Sequence, residues 1–495
     1  MVFLEFKFEQ TTVPFLQTIA GQMQSQEQTQ QIRLADTMPD VKRIVSAWGQ
    51  VIIRGKQWLG GSVQISGGVI VRVLYQGEAD DKMQCVETWL PFQMEWDIPA
   101  QEQDGSITAL PFLRSVDARA LSDRKIMARA TVGILMQATV PAEAECYAEC
   151  ELPEDVQVLR RTYLLQLPVE QGEKLVNIEE TLVPPVTNFS MLRCNILPSV
   201  SESRIVSDKL VMRGNVMFDM LLMDSNGKIC KWQPEMPFSQ FAQLNREYDP
   251  HSFSDISFAV TELETEQKDS GETLLKCSVL AQYTIYDRQT ICVVEDAYSV
   301  GRSLEMKTHQ MTVSSLLKDQ KQPLQLTSNV QLEGHQILDV NILMDDLQIR
   351  PNGRILNIAP AGAFQVLLED VEGNLVSSVS KWDSVLEMEN DSDAEVFVSS
   401  EQDGMPAIIG NNLSQQLLMN IKSVSGKPIT MVSELTLGEE NKPDSNRPSL
   451  ILRAMEGDEL WDLAKSSGST VEAIMKANGL KSDPQPGQML LIPIS

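Results

Sequence analysis

The sequence predicts a mainly β fold: tandem β-sandwich or barrel-like repeats followed by a small βααβ module. Three observations predict it. An apolar β-hairpin pattern occurs three times, the copies keep a common spacing, and the residues from Leu450 to Ser495 divide into strand, helix, helix and strand.

The chain opens on Leu4, Phe6 and Phe8 alternating with Glu5, Lys7 and Glu9, which gives an extended segment one apolar and one charged face. The first hairpin rises through Val69-Ile70-Val71-Arg72-Val73-Leu74-Tyr75, turns at Gly77 to Asp81, and returns through Cys85, Val86 and Trp89 to Pro91-Phe92. The second rises from Val216 to Leu222 and returns through Ile229 and Trp232 to Pro237-Phe238. Between its arms Asn226-Gly227 is expected to supply the positive φ of a tight hairpin turn. The third rises from Ala363 to Leu368, turns at Gly373-Asn374, and returns through Leu375, Val376 and Val379 to Trp382. Gly67 and Gly214 lie 147 residues apart, as do Asn226 and Gly373, so the three hairpins read as copies of one unit.

More strand pattern follows the hairpins, at Ile126 to Val132 and Leu274 to Leu280, and each unit is expected to close around its own core. Polar, proline-bearing stretches, Glu149 to Gly172 and Met306 to Gln325, are expected to separate the units. The expected division is 1–148, 173–300 and 325–437 for three β units, the third degenerate, then a linker at 438–449 and a module at 450–495. The linker contains Pro443 and Pro448 and too few apolar residues to pack.

With 495 residues, 42% of them hydrophobic, the chain is long enough for several cores. No window approaches the roughly 20 apolar residues of a spanning helix, and the first residues lack the basic start and apolar run of a secretory signal. The 68 acidic against 41 basic residues leave a net charge of -27, which repels a phosphate backbone, so nucleic acid is not expected as a partner. Seven cysteines, an odd number spread widely, fit a reducing cytoplasm better than a disulfide framework. Cys146 and Cys150 could share a helical face, but His251, His309 and His335 lie far along the chain and there is no second close cysteine pair, so no metal and no cofactor is expected. The sequence has no nucleophile elbow, no zinc-protease motif and no phosphate loop, and enzymatic activity is not expected. Trp48, Trp58, Trp89, Trp96, Trp232 and Trp382 invite a carbohydrate-binding reading. Trp89, Trp232 and Trp382, however, stand at comparable points of a returning strand, where packing in a core explains them better.

In the terminal module Leu450-Ile451-Leu452 reads as a strand, and Asp458 is placed to accept the free amides of a helix starting at Glu459. Leu460, Leu463 and Ala464 form its inward stripe with Trp461 on a flank, and Gly468 ends it. Ser469 with Glu472 reads as a capping box for a second helix that turns Val471, Ile474 and Met475 inward and stops at Asn478-Gly479. Pro486-Gly487 then turns the chain into Met489 to Pro493.

Two resemblances follow from these residues. Met38-Pro39-Asp40-Val41-Lys42-Arg43-Ile44-Val45, then Trp48-Gly49-Gln50-Val51-Ile52-Ile53, the Val69 to Tyr75 hairpin and Pro91-Phe92 resemble the opening of the SPOCS domain of endospore-forming bacteria; the second unit is similar without that opening, and the third keeps little beyond the hairpin. Gly457-Asp458-Glu459-Leu460-Trp461, Asn478-Gly479-Leu480 and Pro486-Gly487-Gln488-Met489-Leu490-Leu491-Ile492-Pro493 resemble a LysM domain. By that resemblance Gly457, Asp458, Glu459, Leu460, Lys481, Ser482, Asp483 and Pro484 line a shallow groove for N-acetylglucosamine chains. Glu459 stands where the family has threonine and Pro484 where it has an aliphatic residue. SPOCS units joined to a terminal LysM are similar to the SipL-type spore morphogenetic proteins. That resemblance implies a scaffold in spore-coat assembly, at the forespore surface in the mother-cell cytoplasm, whose LysM region binds a morphogenetic ATPase. The alternative it leaves open is binding of peptidoglycan or a chitin-like glycan.

Overall fold

A computed structural model of the chain describes all residues except 1–3, 79–80, 102–103, 149, 330–335, 391–393, 410–411, 441–449, 455–458, 483, 486 and 495. The middle of the first hairpin turn, His335 and most of the expected linker therefore lie outside the described residues.

After an opening strand β1 (Leu4–Lys7), the first unit contains β2 (Gln10–Arg33), β3 (Val41–Trp58), β4 (Ser62–Gly77), β5 (Met83–Asp97), β6 (Ser106–Ser122) and β7 (Lys125–Tyr147). The second contains β8 (Val156–Leu182), β9 (Ser190–Val206), β10 (Lys209–Met223), β11 (Ile229–Trp232), β12 (Glu235–Gln243), β13 (Phe253–Gln267) and β14 (Thr273–Ser299). The third contains β15 (Arg302–Met311), β16 (Ser315–Asn329), β17 (Gln336–Asn352), β18 (Ile355–Glu369), β19 (Leu375–Asp383), β20 (Leu386–Glu389), β21 (Ala394–Ile409), β22 (Asn412–Ser425) and β23 (Ile429–Glu440).

All three units are wired alike. A hairpin sheet has β4, β10 or β18 at its centre, flanked by β3 and β5, by β9 with β11 and β12, or by β17 with β19 and β20. A second antiparallel sheet has β7, β14 or β22 at its centre, flanked by β2 and β6, by β8 and β13, or by β16 and β21. The third unit, whose sequence keeps little but the hairpin, thus has the same strand pairing as the other two.

The stretches expected to separate the units are themselves strands, because Val156 to Leu182 and Ser315 to Asn329 are the long first strands of the second sheets. Their prolines, Pro168 and Pro323, are tolerated because β8 and β16 lie at sheet edges, where a missing N–H breaks no inner ladder. The opening strand forms as expected from its alternation, but it pairs far away, with Leu4 opposite Leu437 and Phe6 opposite Leu435 on β23.

Each unit has a core of its own, centred on residues such as Val71 and Trp96 in the first, Phe218 and Val279 in the second, and Phe364 and Met419 in the third. The units are not beads, however. Val45, Trp48 and Leu74, Leu192 and Leu221, and Leu367 and Leu375 share one further buried cluster drawn from all three. A second shared cluster joins Phe15, Leu167 and Met431 where the long strands run beyond the hairpin sheets.

Polar contacts close the triangle. Between the first and second units, Lys56 Nζ donates to Gln282 Oε1 at 2.7 Å and pairs with Glu173. Between the second and third, Arg193 binds Asp339, and Asn195 Nδ2 donates to Asn341 Oδ1 at 2.9 Å. Between the third and first, Gln365 Nε2 donates to the Ala47 carbonyl at 2.6 Å. Ser46, Arg193 and Asp339 are repeat-equivalent, as are Arg72, Asp219 and Gln365, so one position carries different polar groups in each copy and the seam is complementary rather than repeated. At this seam Trp48, Gln50, Arg72, Leu192 and Arg193 pack around a shallow dimple too tight for a water molecule.

Two details correct the sequence reading. The second hairpin turn is a three-residue loop in which Gly227 alone takes positive φ (84°), while Asp224 Oδ1 accepts the amides of Asn226 and Lys228. The third turn repeats it with Gly373 (φ 82°) and Asp370. The three tryptophans do not occupy one position either: Trp89 faces Ile70, Trp232 faces Met220 and Trp382 faces Gly362. Trp382 instead takes the place of Phe92 and Phe238, each of which covers a glycine, Gly362, Gly67 and Gly214 respectively. Trp382 is 3% exposed, in line with core packing, whereas Trp89 is 37% exposed and lies under the Arg54 guanidinium.

Candidate binding site on the C-terminal module

The module pairs β24 (Leu450–Ala454) with β25 (Met489–Pro493) and packs α1 (Leu460–Ser467) and α2 (Val471–Asn478) on one face of that pair. Alternation on the strands puts Leu490 and Ile492 inward against Leu460, Leu463, Ala464 and Ile474. Gly468 and Gly479 end the helices in the left-handed conformation, as expected. The cap of α2 is one residue later than expected. Thr470 Oγ1 accepts the Ala473 amide at 3.0 Å, while Ser469 is fully buried and its carbonyl accepts from Tyr298.

Asn478 explains why this position carries an amide. Its Nδ2 donates to the Leu491 carbonyl at 2.6 Å and its Oδ1 accepts the Leu491 amide at 2.8 Å, clamping the end of α2 to β25.

Of the eight expected groove residues, Gly457, Asp458 and Asp483 lie outside the described residues. Leu460 is 7% exposed and belongs to the module's core. Lys481 and Ser482 are exposed and Pro484 is half-buried. Glu459 precedes α1 in extended backbone without capping it, and its carboxylate lies 3.4 Å from Arg161 on β8.

That ion pair belongs to a larger contact that no motif or periodicity locates. Trp461 stacks edge-on against Tyr298 on β14, with ring centroids 4.8 Å apart, and its Nε1 donates to Asp296 Oδ2 at 2.8 Å. Lys465 Nζ reaches both Asp296 oxygens at 2.7 Å. Tyr298 Oη donates to the Ser469 carbonyl at 2.9 Å. Burial, with the Asp296 charge beside it, pushes the Tyr298 hydroxyl up to about 12, so it stays protonated as the donor. The flank assigned to Trp461 is therefore covered by the body.

Among the described residues no three His, Cys, Asp or Glu side chains converge as a metal site. Cys146 lies on β7 and Cys150 beyond its end, so the helical spacing considered for them does not arise.

A family model described as SipL, SPOCS domain, matches residues 40–120, and one described as LysM domain matches residues 456–493. The chain carries a SipL-type SPOCS domain and a LysM domain. The SPOCS match spans β3 to β6 of the first unit, and the LysM match spans both helices and β25 of the module. No curated protein and no solved structure matches the chain. Both domains are of binding or scaffold type, and together they mark a sporulation-related protein with a module of the peptidoglycan-binding kind. No helix among the described residues is long and apolar enough to cross a membrane.

Proposed function

We propose that the chain is a non-enzymatic scaffold of spore-coat assembly, working at the forespore surface in the mother cell, and that its LysM domain captures a protein, the morphogenetic ATPase of the SipL resemblance. One observation carries the preference for a protein over a glycan. On the face of β24 and β25 opposite the helices, Leu450, Leu452, Met489 and Leu491 are 52%, 59%, 53% and 38% exposed. A contiguous apolar strip on so small a module suits a protein surface better than a sugar chain, which is held chiefly by hydrogen bonds. Glu459 supports the same reading by placing a carboxylate at the groove edge, and the proposed footprint of the partner runs from this strip to that edge and along α1.

The LysM match itself favours the second reading, binding of peptidoglycan at Lys481, Ser482 and their neighbours. Affinity capture from sporulating cells separates the two. The full chain is expected to retain the ATPase, and the double variant Leu452→Ser, Leu491→Ser, which leaves Lys481 and Ser482 in place, to retain several-fold less. Saturable co-sedimentation with purified cortex, without capture of the ATPase, would reverse the assignment.

A further inference from the structure

The contact between the LysM domain and the second unit has the marks of a built receptor. By the repeat spacing Tyr147, the last residue of β7, corresponds to Val294, yet β14 continues to Ser299. Asp296 and Tyr298, which hold the module, stand in that extension. The ladder between β14 and β8 slips at Glu295, leaving it unpaired, and such a bulge re-aims the residues that follow. Glu295 accepts from the Tyr163 hydroxyl and binds Arg161 Nε at 2.8 Å, so the guanidinium offered to Glu459 is itself held in place. Leu159 and Val300 complete an apolar floor around Tyr298 and Trp461.

Two kinds of contact do unequal work here. The Arg161–Glu459 pair is exposed on both sides and adds little to the docking. The Trp461–Tyr298 stack, with the indole bonded to Asp296, and the buried Tyr298–Ser469 bond supply the hold. The face they cover is the outer side of α1, and the Glu459 edge of the expected groove lies directly against it.

We infer that the extension of β14 with β8 is a latch for the chain's own LysM domain, and that a ligand gripping the module along α1 and the Glu459 edge must displace the body first. The displacement rests on the proposed function; the docking does not. Only the undocked fraction is competent to bind, so apparent affinity falls in proportion to that fraction.

A zero-length carbodiimide cross-link tests the docking without any ligand, since Lys465 and Asp296 are an amine and a carboxylate in contact. In the full chain the 296–465 adduct is expected in high yield by mass spectrometry. Tyr298→Ala keeps both reacting groups and should lower that yield several-fold, and the milder Trp461→Phe should lower it less. Absence of the adduct, or equal yield in Tyr298→Ala, would overturn the latch. The purified ATPase should then bind the Tyr298→Ala chain about three- to tenfold more tightly than the parent. Equal affinity, with the adduct present in the parent, would overturn the regulatory role. Binding to neither chain would overturn the proposed function, and the regulatory role with it, while the cross-link still reports whether the module docks.

Discussion

Arg193 of the second unit forks onto Asp339 of the third through two 3.0 Å hydrogen bonds, and both side chains are 1% exposed. The same guanidinium binds Asp219, whose other oxygen accepts from Gln233 at 2.8 Å, and Lys231 approaches Asp339 at 3.0 Å. Two cations and two anions thus neutralise one another where units meet. Removing one partner leaves a buried charge uncompensated, which costs far more than the pair's net contribution. Asp339→Ala is expected to lower stability by about 3–5 kcal/mol in urea unfolding, whereas Arg204→Ala, whose side chain is 74% exposed beside Glu202, should change it by less than about 1 kcal/mol.

Gly214 permits a close approach of strands, since a Cβ there would lie 1.9 Å from the Ser199 carbonyl oxygen and 2.9 Å from the Phe238 ring. Backbone cannot yield as a side chain does. Gly214→Ala should cost at least about 2 kcal/mol, while Gly301→Ala, with open space around it, should stay within about 0.5 kcal/mol by the same measurement.

Burial pushes the Cys85 and Cys194 thiols up to about 12, and Cys277 is also raised, from an ordinary value of 9.0. A raised folded value means that the neutral thiol is favoured in the native state. The associated stability is complete below about pH 9 and is lost as the pH climbs from there towards the folded values. Urea midpoints should therefore fall above pH 9. At pH 8 a thiol-alkylating reagent should label the exposed Cys292 rapidly, and Cys194 and Cys277 only after unfolding, as read by peptide mass spectrometry.

Within the LysM domain, Asn478→Ala deletes the two bonds to Leu491 and a third to Ile474, and should destabilise the module by about 1–3 kcal/mol. Thr470→Ala should cost about 1 kcal/mol through loss of the cap, whereas Glu472→Ala should cost less, because the cap is not the Ser469–Glu472 pair. Hydrogen exchange of α2 amides reports both.

Much of this architecture is legible in the sequence, because it depends on local period. Alternation in Val69 to Tyr75 and Val216 to Leu222, and a glycine repeated at 147 residues, are enough to find the hairpins. The LysM elements follow from Gly468, Gly479 and the apolar stripe of α1. The third unit's kinship is obscured because Trp382 takes the aromatic place of Phe92 and Phe238 over a glycine that has moved by two residues along its strand. The assignment of Glu149 to Gly172 as a separator failed because polarity and proline are equally the marks of an exposed edge strand.

Long-range pairings left no local trace. Leu4 opposite Leu437 and Tyr298 beneath Trp461 join residues whose own neighbourhoods are ordinary, and no periodicity distinguishes a strand that pairs nearby from one that pairs across the molecule. For the candidate site the motif located the module and both loops. The apolar stripe of α1 turns Leu460 inward, as found, against its place among the groove residues, but no motif shows that Arg161 of another unit stands beside Glu459.

Equilibrium binding of the purified full chain, measured side by side against the morphogenetic ATPase and against sonicated cortex peptidoglycan, tests the account most directly. Saturable binding of the ATPase with an affinity at least about tenfold above that for peptidoglycan is the expected result. Saturable binding of peptidoglycan with no detectable binding of the ATPase would contradict it.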